Sequence, residues 1–479
     1  MASRLDRSRA IALFVAATAA SAALWWFGSG LDPHWWVTWL APLPVLLLSA
    51  HVRKRWAALA AFTAYAIGGI NEWSYLHDLI ALPLAIDLAA IMEPGLFLAL
   101  CVLLFRRLVL QGRVVTAALA VPALWVSIEY LGTLSSPHGT FGSISYTQMD
   151  ALPVIQIAAV TGIWGVSFLL LLVPTAIAAI ASRDASRRAR VGVALIAVLL
   201  PAMAIGYGYS RLHEAPVGTA RIGLVSLEKP IRPALHDPAG QALETRYVTA
   251  IDRLAAAGAR AVVIPETSFA TSDATIPAFA DLAQRDHLVL DAGIDFKGDP
   301  HAERNMVMVF RPGAATPATY NKHHLIPRYE DHYTPGDSYT MLDGAPRTGL
   351  AICKDMDFQA TGRAYAVRNA QLLLVPAWDF GADGWLHSRM AIMRGVESGF
   401  AIARAARTGQ LTLSDDRGRV LAEASSDGRD AELVGNLPLH DTDTLYTRWG
   451  DWFAWVALVL TGICIVLAMV PGKRAQAEP

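Results

Sequence analysis

The chain has 479 residues, a formal net charge of -1, 54% hydrophobic residues and only 17% charged ones. So apolar a composition excludes an ordinary soluble protein and points to a membrane, while the balanced charge gives no reason to expect a nucleic-acid partner. Of the three cysteines, Cys101 and Cys464 fall in apolar runs, which leaves Cys353 as the only thiol of the polar part, with no disulfide partner and no zinc-type spacing.

Arg4, Arg7 and Arg9 precede an apolar run over residues 11–27. Because further apolar runs follow, this one reads as an uncleaved first membrane helix in preference to a signal peptide. Spans are expected next over 36–50, 56–70, a run ending near Leu104, 114–129, 154–181 and 191–209, and a last one over 452–469, about eight in all. The stretch 79–104 carries Asp87 and Glu93, so part of it is expected at the interface or re-entrant. Basic residues cluster at the N-terminus, at 53–55, 106–113 and 183–190, and at Lys473 and Arg474, with no Lys or Arg over 56–105 or 114–182. Under the positive-inside rule each cluster is cytoplasmic, which requires an even number of crossings between clusters and places the polar region on the outer face. Trp35, Trp36, Trp73, Trp449 and Trp452 fall at predicted span ends, as interfacial anchors or simple packing residues.

The polar region, 211–448, alternates Val-, Ile- and Leu-rich runs with helical patterns, the latter at 244–258, 276–286 and 387–407. That alternation predicts α/β layers, and adjacent strands without a helix over 287–311 predict a mixed sheet. Three of its strand-like runs end on chemistry. RAVVIPETSF ends in Glu266, YNKHHLIPRYE places Lys322 and Glu330 around a proline-broken segment, and TGLAICKDMDF delivers Cys353 beside Lys354 and Asp355.

Taken singly, each is ordinary: a small buried thiol, an N-cap acid, a solvated cation, a loop acid. Together, in this order, they form a constellation. A thiol needs a base or a cation to become a nucleophile, Glu266 is placed to take its proton, and Lys322, with the backbone N–H after Cys353, suits an oxyanion. Glu330 holds the lysine or orients an acceptor. His323 and His324 invite a metal reading, but neighbours on an extended segment point to opposite faces, so no metal or other cofactor is expected.

These motifs, with the helix pattern in WLHSRMAIMRGVESGFAIARAARTG and the TRWGDW run entering the last span, resemble the bacterial apolipoprotein N-acyltransferase family, the membrane-bound branch of the carbon-nitrogen hydrolase (nitrilase) superfamily. The resemblance covers nearly the whole chain. It implies a multi-span α-helical membrane domain (1–210), a nitrilase-like αββα sandwich facing the periplasm (211–448), and a final helix and cytoplasmic tail (449–479) in the bacterial inner membrane. It further implies Glu266 as general base, Lys322 as oxyanion stabiliser, Cys353 as nucleophile and Glu330 as a further essential glutamate. The partners it implies are a phospholipid acyl donor and a lipoprotein N-terminal amine as acceptor. Two stretches depart from the family's usual pattern: Lys354 and Asp355 stand where Tyr and Glu are usual, and SLEKPIRPALHDP (226–238) replaces a Gln-Gly-Asn stretch and a Trp. A membrane-tethered amidase, an N-acyltransferase with another amine acceptor, and a non-catalytic lipid binder are the alternative readings.

Overall fold

The computed structural model describes residues 7–183, 185–298 and 302–471; the basic residues Arg4, Lys473 and Arg474 lie outside these. The chain divides into two compact units, one comprising 1–135, 142–210 and 451–479, the other 136–141 and 211–450.

In the first unit six described helices are long and apolar enough to cross a membrane: Ser8–Gly28, Leu84–Leu110, Val114–Thr133, Ile163–Ile180, Arg187–Leu212 and Trp452–Met469. Two expected spans are altered, and a third is found with its ends shifted by one or two residues. Residues 36–50 form two short helices, Trp35–Thr38 and Leu43–Ser49, separated ahead of Pro42. Residues 56–70 form the 16-residue helix Lys54–Gly69. The run 154–181 breaks at Gly162, whose φ of 67° and ψ of -172° no helix accommodates. Within 79–104, residues 80–83 are non-helical and separate the turn Ser74–Leu79 from the helix that follows. Leu84–Leu110 is one 27-residue helix, about 40 Å long, so it exceeds a hydrocarbon core of about 30 Å and carries Asp87 in its first turn. Asp87 is buried against His77, 2.8 Å away.

Small residues set the packing of this unit. Ala57, Ala60, Ala61 and Ala64 are buried on one face of Lys54–Gly69, and a Cβ on Gly68 would lie 2.4 Å from the Cβ of Trp25, the close approach typical of helices packed in lipid. Large apolar residues such as Leu96, Leu100, Val198 and Met203 are exposed instead, as lipid-facing positions are.

The second unit is built on two six-stranded sheets. The first holds β1 (Gly218–Ser226), β2 (Ala261–Thr271), β3 (Val289–Phe296), β4 (Arg304–Phe310) and β5 (Ala318–Asn321). The second holds β6 (Met341–Leu342), β7 (Thr348–Leu350), β8 (Leu372–Trp378), β9 (Ala401–Arg407), β10 (Gln410–Ser414) and β11 (Val420–Ser425), and β12 (Ala431–Leu439) returns to the first. Their orders are β12-β1-β2-β3-β4-β5 and β11-β10-β9-β8-β7-β6. Both are mixed, with parallel centres and antiparallel edges.

Strand alternation makes the layers. Val263 of β2 and Leu372 and Leu374 of β8 share the core between the sheets. Val262 and Ile264 face the opposite way, into a core with helices Pro238–Ala256 and Pro277–Arg285. Leu373 and Val375 face helices Gln359–Ala366 and Gly384–Ser398. The result is an αββα sandwich. One expected helix is wrong in its second half: 387–407 is helix only to Ser398, and the rest is β9. Gly399, at φ 83°, ends the helix in a left-handed turn, and the strand that follows is buried along its whole length; burial overrides the helical preference of its alanines and arginines.

Candidate active site

Glu266 lies within β2 where its pairing to β3 shifts register between Ile264 and Phe269. The following Thr267 takes a φ of 45°, and Gly293 lets β3 pass: a Cβ there would meet the Glu266 Cα at 2.5 Å. Lys322 directly follows β5, its N–H donating to the Asn305 carbonyl at 2.8 Å. Its ammonium is fully buried and donates to Glu266 Oε1 at 2.7 Å and to the two oxygens of Glu330 at 2.9 and 2.8 Å. Asn305 Nδ2 donates to both carboxylates, at 2.6 Å each, and Ile326 N–H donates to Glu330 at 2.7 Å. The structure thus brings together three of the four expected residues in one buried network, with Asn305 as a member that sequence reasoning missed. Its only signal was a polar residue opening the apolar run NMVMVF.

Cys353 is the first residue of a 3-10 turn, Cys353–Asp357, not the end of the strand, because β7 stops at Leu350. It has a φ of 43°, a left-handed conformation costing a non-glycine residue about 1–3 kcal/mol. Its thiol donates to the Trp378 carbonyl at 3.5 Å.

Asp355 holds this turn to the lysine segment. Oδ1 accepts from His323 and His324 N–H at 3.1 and 2.9 Å; Oδ2 accepts from Ile352 N–H at 3.1 Å and the Tyr320 hydroxyl at 2.8 Å. One carboxylate therefore fixes Lys322 relative to Cys353. Lys354 Nζ donates to His138 Nδ1 at 2.9 Å. Thr140 donates to the Asp357 carbonyl through N–H and hydroxyl at 3.0 and 2.8 Å, so the 136–141 segment is part of the turn's support. The two histidines of the YNKHH run are occupied: His323 lies against Tyr339 and His324 stacks on Phe358 at 3.6 Å. Among the described residues no group of three His, Cys, Asp or Glu side chains is placed to hold a metal ion.

The electrostatics differentiate the carboxylates. Burial pushes Glu266 up, only partly opposed by Lys322. Burial would also raise Glu330, but Lys322 and the Ile326 N–H reverse it and hold Glu330 below its ordinary range. Burial would lower Lys322, yet Glu266 and Glu330 hold it well above the lysine value, firmly cationic. Burial, and then the Glu266 charge, push the Cys353 thiol well up, with Lys322 opposing. The resting thiol keeps its proton beside a buried carboxyl with raised affinity for one. Burial and the Lys354 ammonium press His138 down to about 4, so it accepts from that lysine. Asp357 and Asp383 outweigh burial to hold His387 up at about 10.

Comparison with known proteins adds independent information. The model of the apolipoprotein N-acyltransferase N-terminal domain matches residues 12–176, and that of the carbon-nitrogen hydrolases matches 241–445. The apolipoprotein N-acyltransferase of Geobacter metallireducens is 27% identical, over 92% of this chain and 91% of that protein. That of Gloeobacter violaceus is 27% identical, over 98% and 96%. Among solved structures, an amidase from Nesterenkonia sp. aligns at 22% identity over 50% of this chain and 96% of its own, with a TM-score of 0.41.

Proposed function

The chain belongs to the apolipoprotein N-acyltransferase family, and we propose that it moves an acyl chain from a phospholipid, through a thioester on Cys353, to the N-terminal amine of a diacylglyceryl-cysteine lipoprotein. The observation that carries the mechanism is the single buried network joining Glu266, Lys322 and Glu330, beside a thiol on a strained turn.

In the first half-reaction Glu266 takes the thiol proton as sulfur attacks the donor's ester carbonyl. The C–S bond forms, the ester C–O bond breaks, and Glu266 returns the proton to the departing lysophospholipid oxygen. In the second, the neutral amine attacks the thioester. The C–N bond forms, the C–S bond breaks, and the amine's surplus proton passes by way of Glu266 to the sulfur. Lys322, fixed in its charged state by two carboxylates, stabilises the oxyanion in both. Glu330, held ionised, keeps Lys322 in place. The raised Glu266 is a stronger base than an ordinary carboxylate, which this chemistry needs against a raised thiol. The catalytic unit faces the periplasm in this proposal, in keeping with the basic clusters at 53–55, 106–113 and 183–190.

Intact mass spectrometry of the detergent-purified protein with phospholipid, wild type beside Cys353→Ala, tests this. An acyl-sized adduct on the wild type alone, discharged by a diacylated lipopeptide into a triacylated product, is the expected result. The same lipopeptide added outside spheroplasts should be converted. An adduct discharged only by water would replace the transferase with a tethered hydrolase, and conversion only after lysis would reverse the orientation.

A further inference from the structure

A second cluster of charge lies around Trp378, whose carbonyl accepts from the nucleophile, and takes no part in the mechanism above. Lys229 and Arg232, from the SLEKPIRPALHDP stretch, and Arg407, the last residue of β9, converge on the indole of Trp378 with their charged groups 5.9, 5.6 and 4.5 Å from the ring centroid. Trp378 is the residue whose carbonyl receives the Cys353 thiol. Lys229 Nζ donates to the carbonyl of Thr267, next to Glu266. Arg232 also lies over the ring of Tyr333, 5.3 Å away. The cluster therefore touches Trp378, which is bonded to Cys353, Thr267, which follows Glu266, and Tyr333, on the segment that carries Glu330.

None of the three cations is in an ion pair among the described residues. Lys229 and Arg407 are 6% and 7% exposed. Arg407 donates from Nη2 to the Lys229 carbonyl at 2.8 Å, but its Nε and Nη1 are buried with no acceptor among the described residues, and so is Nε of Arg232. The backbone is built to hold this arrangement. Arg232 sits at a φ of 47°, and the residues after it are pinned to the end of β2 by Ala270 N–H to the Pro233 carbonyl at 3.0 Å and Leu235 N–H to the Ala270 carbonyl at 2.9 Å. A buried donor left unmade is unfavourable, and so is gathering three like charges around one ring; cation–π contact offsets only part of this. An anion seated among them removes both penalties, and guanidinium N–H groups match the oxygens of a phosphate.

We propose that Lys229, Arg232 and Arg407 form the seat for the phosphate of the acyl donor, next to the thiol that attacks the donor's ester. The proposal rests on the phospholipid-to-cysteine reading above. The acceptor does not fit the seat, since its reacting end is a neutral amine with no anion beside it, whereas donor phosphate and ester are only a few bonds apart. With three positive charges facing one phosphate, a headgroup without an ammonium, as in phosphatidylglycerol, is preferred over the zwitterionic phosphatidylethanolamine.

The test uses the full chain in detergent and follows the Cys353 adduct against concentration for phosphatidylglycerol, phosphatidylethanolamine and diacylglycerol, which has the esters without the phosphate. The expected KM order is phosphatidylglycerol lowest and diacylglycerol highest. Arg407→Gln and Lys229→Gln should each raise KM for phosphatidylglycerol about tenfold, with the loss confined to phosphate-bearing donors, and Arg407→Lys should recover part of it. Variants that shift all three donors alike, or leave phosphatidylglycerol unaffected, overturn the proposal. Inorganic phosphate that binds in an Arg407-dependent way, without discrimination among donors, would assign the seat to free phosphate and likewise overturn the donor assignment. If the wild type takes no acyl group from any donor, the parent reading fails. Calorimetric binding of glycerophosphoglycerol to wild type and Arg407→Gln, each checked for an unchanged melting temperature, then decides the seat by itself: loss in the variant upholds it, and no binding to wild type removes it.

Discussion

Two charged clusters flank the Cys353 turn, and they solve the problem of burial in opposite ways. Around Lys322 every charge has a partner: one ammonium between two carboxylates, both of them bonded to Asn305. Around Trp378 three cations share one ring, and guanidinium N–H groups of Arg232 and Arg407 have no acceptor among the described residues. A network closed on itself is preorganised machinery, whose value lies in not moving or re-solvating during the reaction. A network left open on one side is a receptor, completed by what binds. Substitutions in the first should therefore act on the chemical step, and those in the second on the concentration of donor needed.

The largest effect follows from opening the closed network. Glu266→Gln keeps the volume and an acceptor for Lys322 but cannot take the thiol proton, so thioester formation should slow about a thousandfold, read as the rate of adduct appearance at saturating phospholipid. Donor KM should change far less. A Glu266→Gln protein that forms the adduct at the wild-type rate would remove Glu266 from the base role.

The contrast also explains what the sequence made legible. Glu266, Lys322 and Cys353 each sit at or near the end of a strand-like run, and Glu330 closes the proline-broken segment after Lys322, so the pattern announces the residue. Asn305 opens such a run, near the start of β4, and its polarity alone does not disclose a role that depends on two partners brought in by other elements. Arg407 was hidden differently: ESGFAIARAAR has the composition of a helix, and only the left-handed turn at Gly399 converts its second half into the strand that carries Arg404 and Arg407 inward. Lys229 and Arg232 stood out only as a departure from the family's usual pattern, without a meaning until folding placed Arg407 beside them. In the membrane unit, composition located the apolar runs, but breaks at Pro42 and Gly162 depend on local backbone geometry that hydropathy does not register.

An intermediate effect should come from the residue that ties the catalytic segments together. In Asp355→Asn one carboxylate oxygen becomes an NH2 facing donors, either the His323 and His324 N–H groups or the Ile352 N–H and Tyr320 hydroxyl. The expected loss is about 2–3 kcal/mol, a fall in Tm of about 6–10 °C for a unit of this size, together with slower adduct formation because Lys322 loses its register with Cys353. Full stability with full activity would show that the turn holds its own shape and that Asp355 is incidental.

The smallest effect separates the two clusters by the sign of their response to pH. Burial holds Lys229 down at about 7, with Arg407 and Arg232 adding to the shift and Glu228 opposing it. Its charge is therefore present below about pH 7 and lost above it, falling from roughly nine-tenths to roughly one-tenth between pH 6 and 8. Glu266, pushed upward by burial, gains its basic form as pH rises, so its contribution to the rate runs the other way. Raising the pH from 6 to 8 should thus increase KM for phosphatidylglycerol a few-fold while the saturated rate of adduct formation does not fall. A bound phosphate draws the Lys229 pKa back up, which confines the effect to the free enzyme and hence to KM. In Lys229→Gln the KM should be high at pH 6 and flat to pH 8. A rise that persists in that variant would transfer the titration to another group and leave the open cluster with two working cations instead of three.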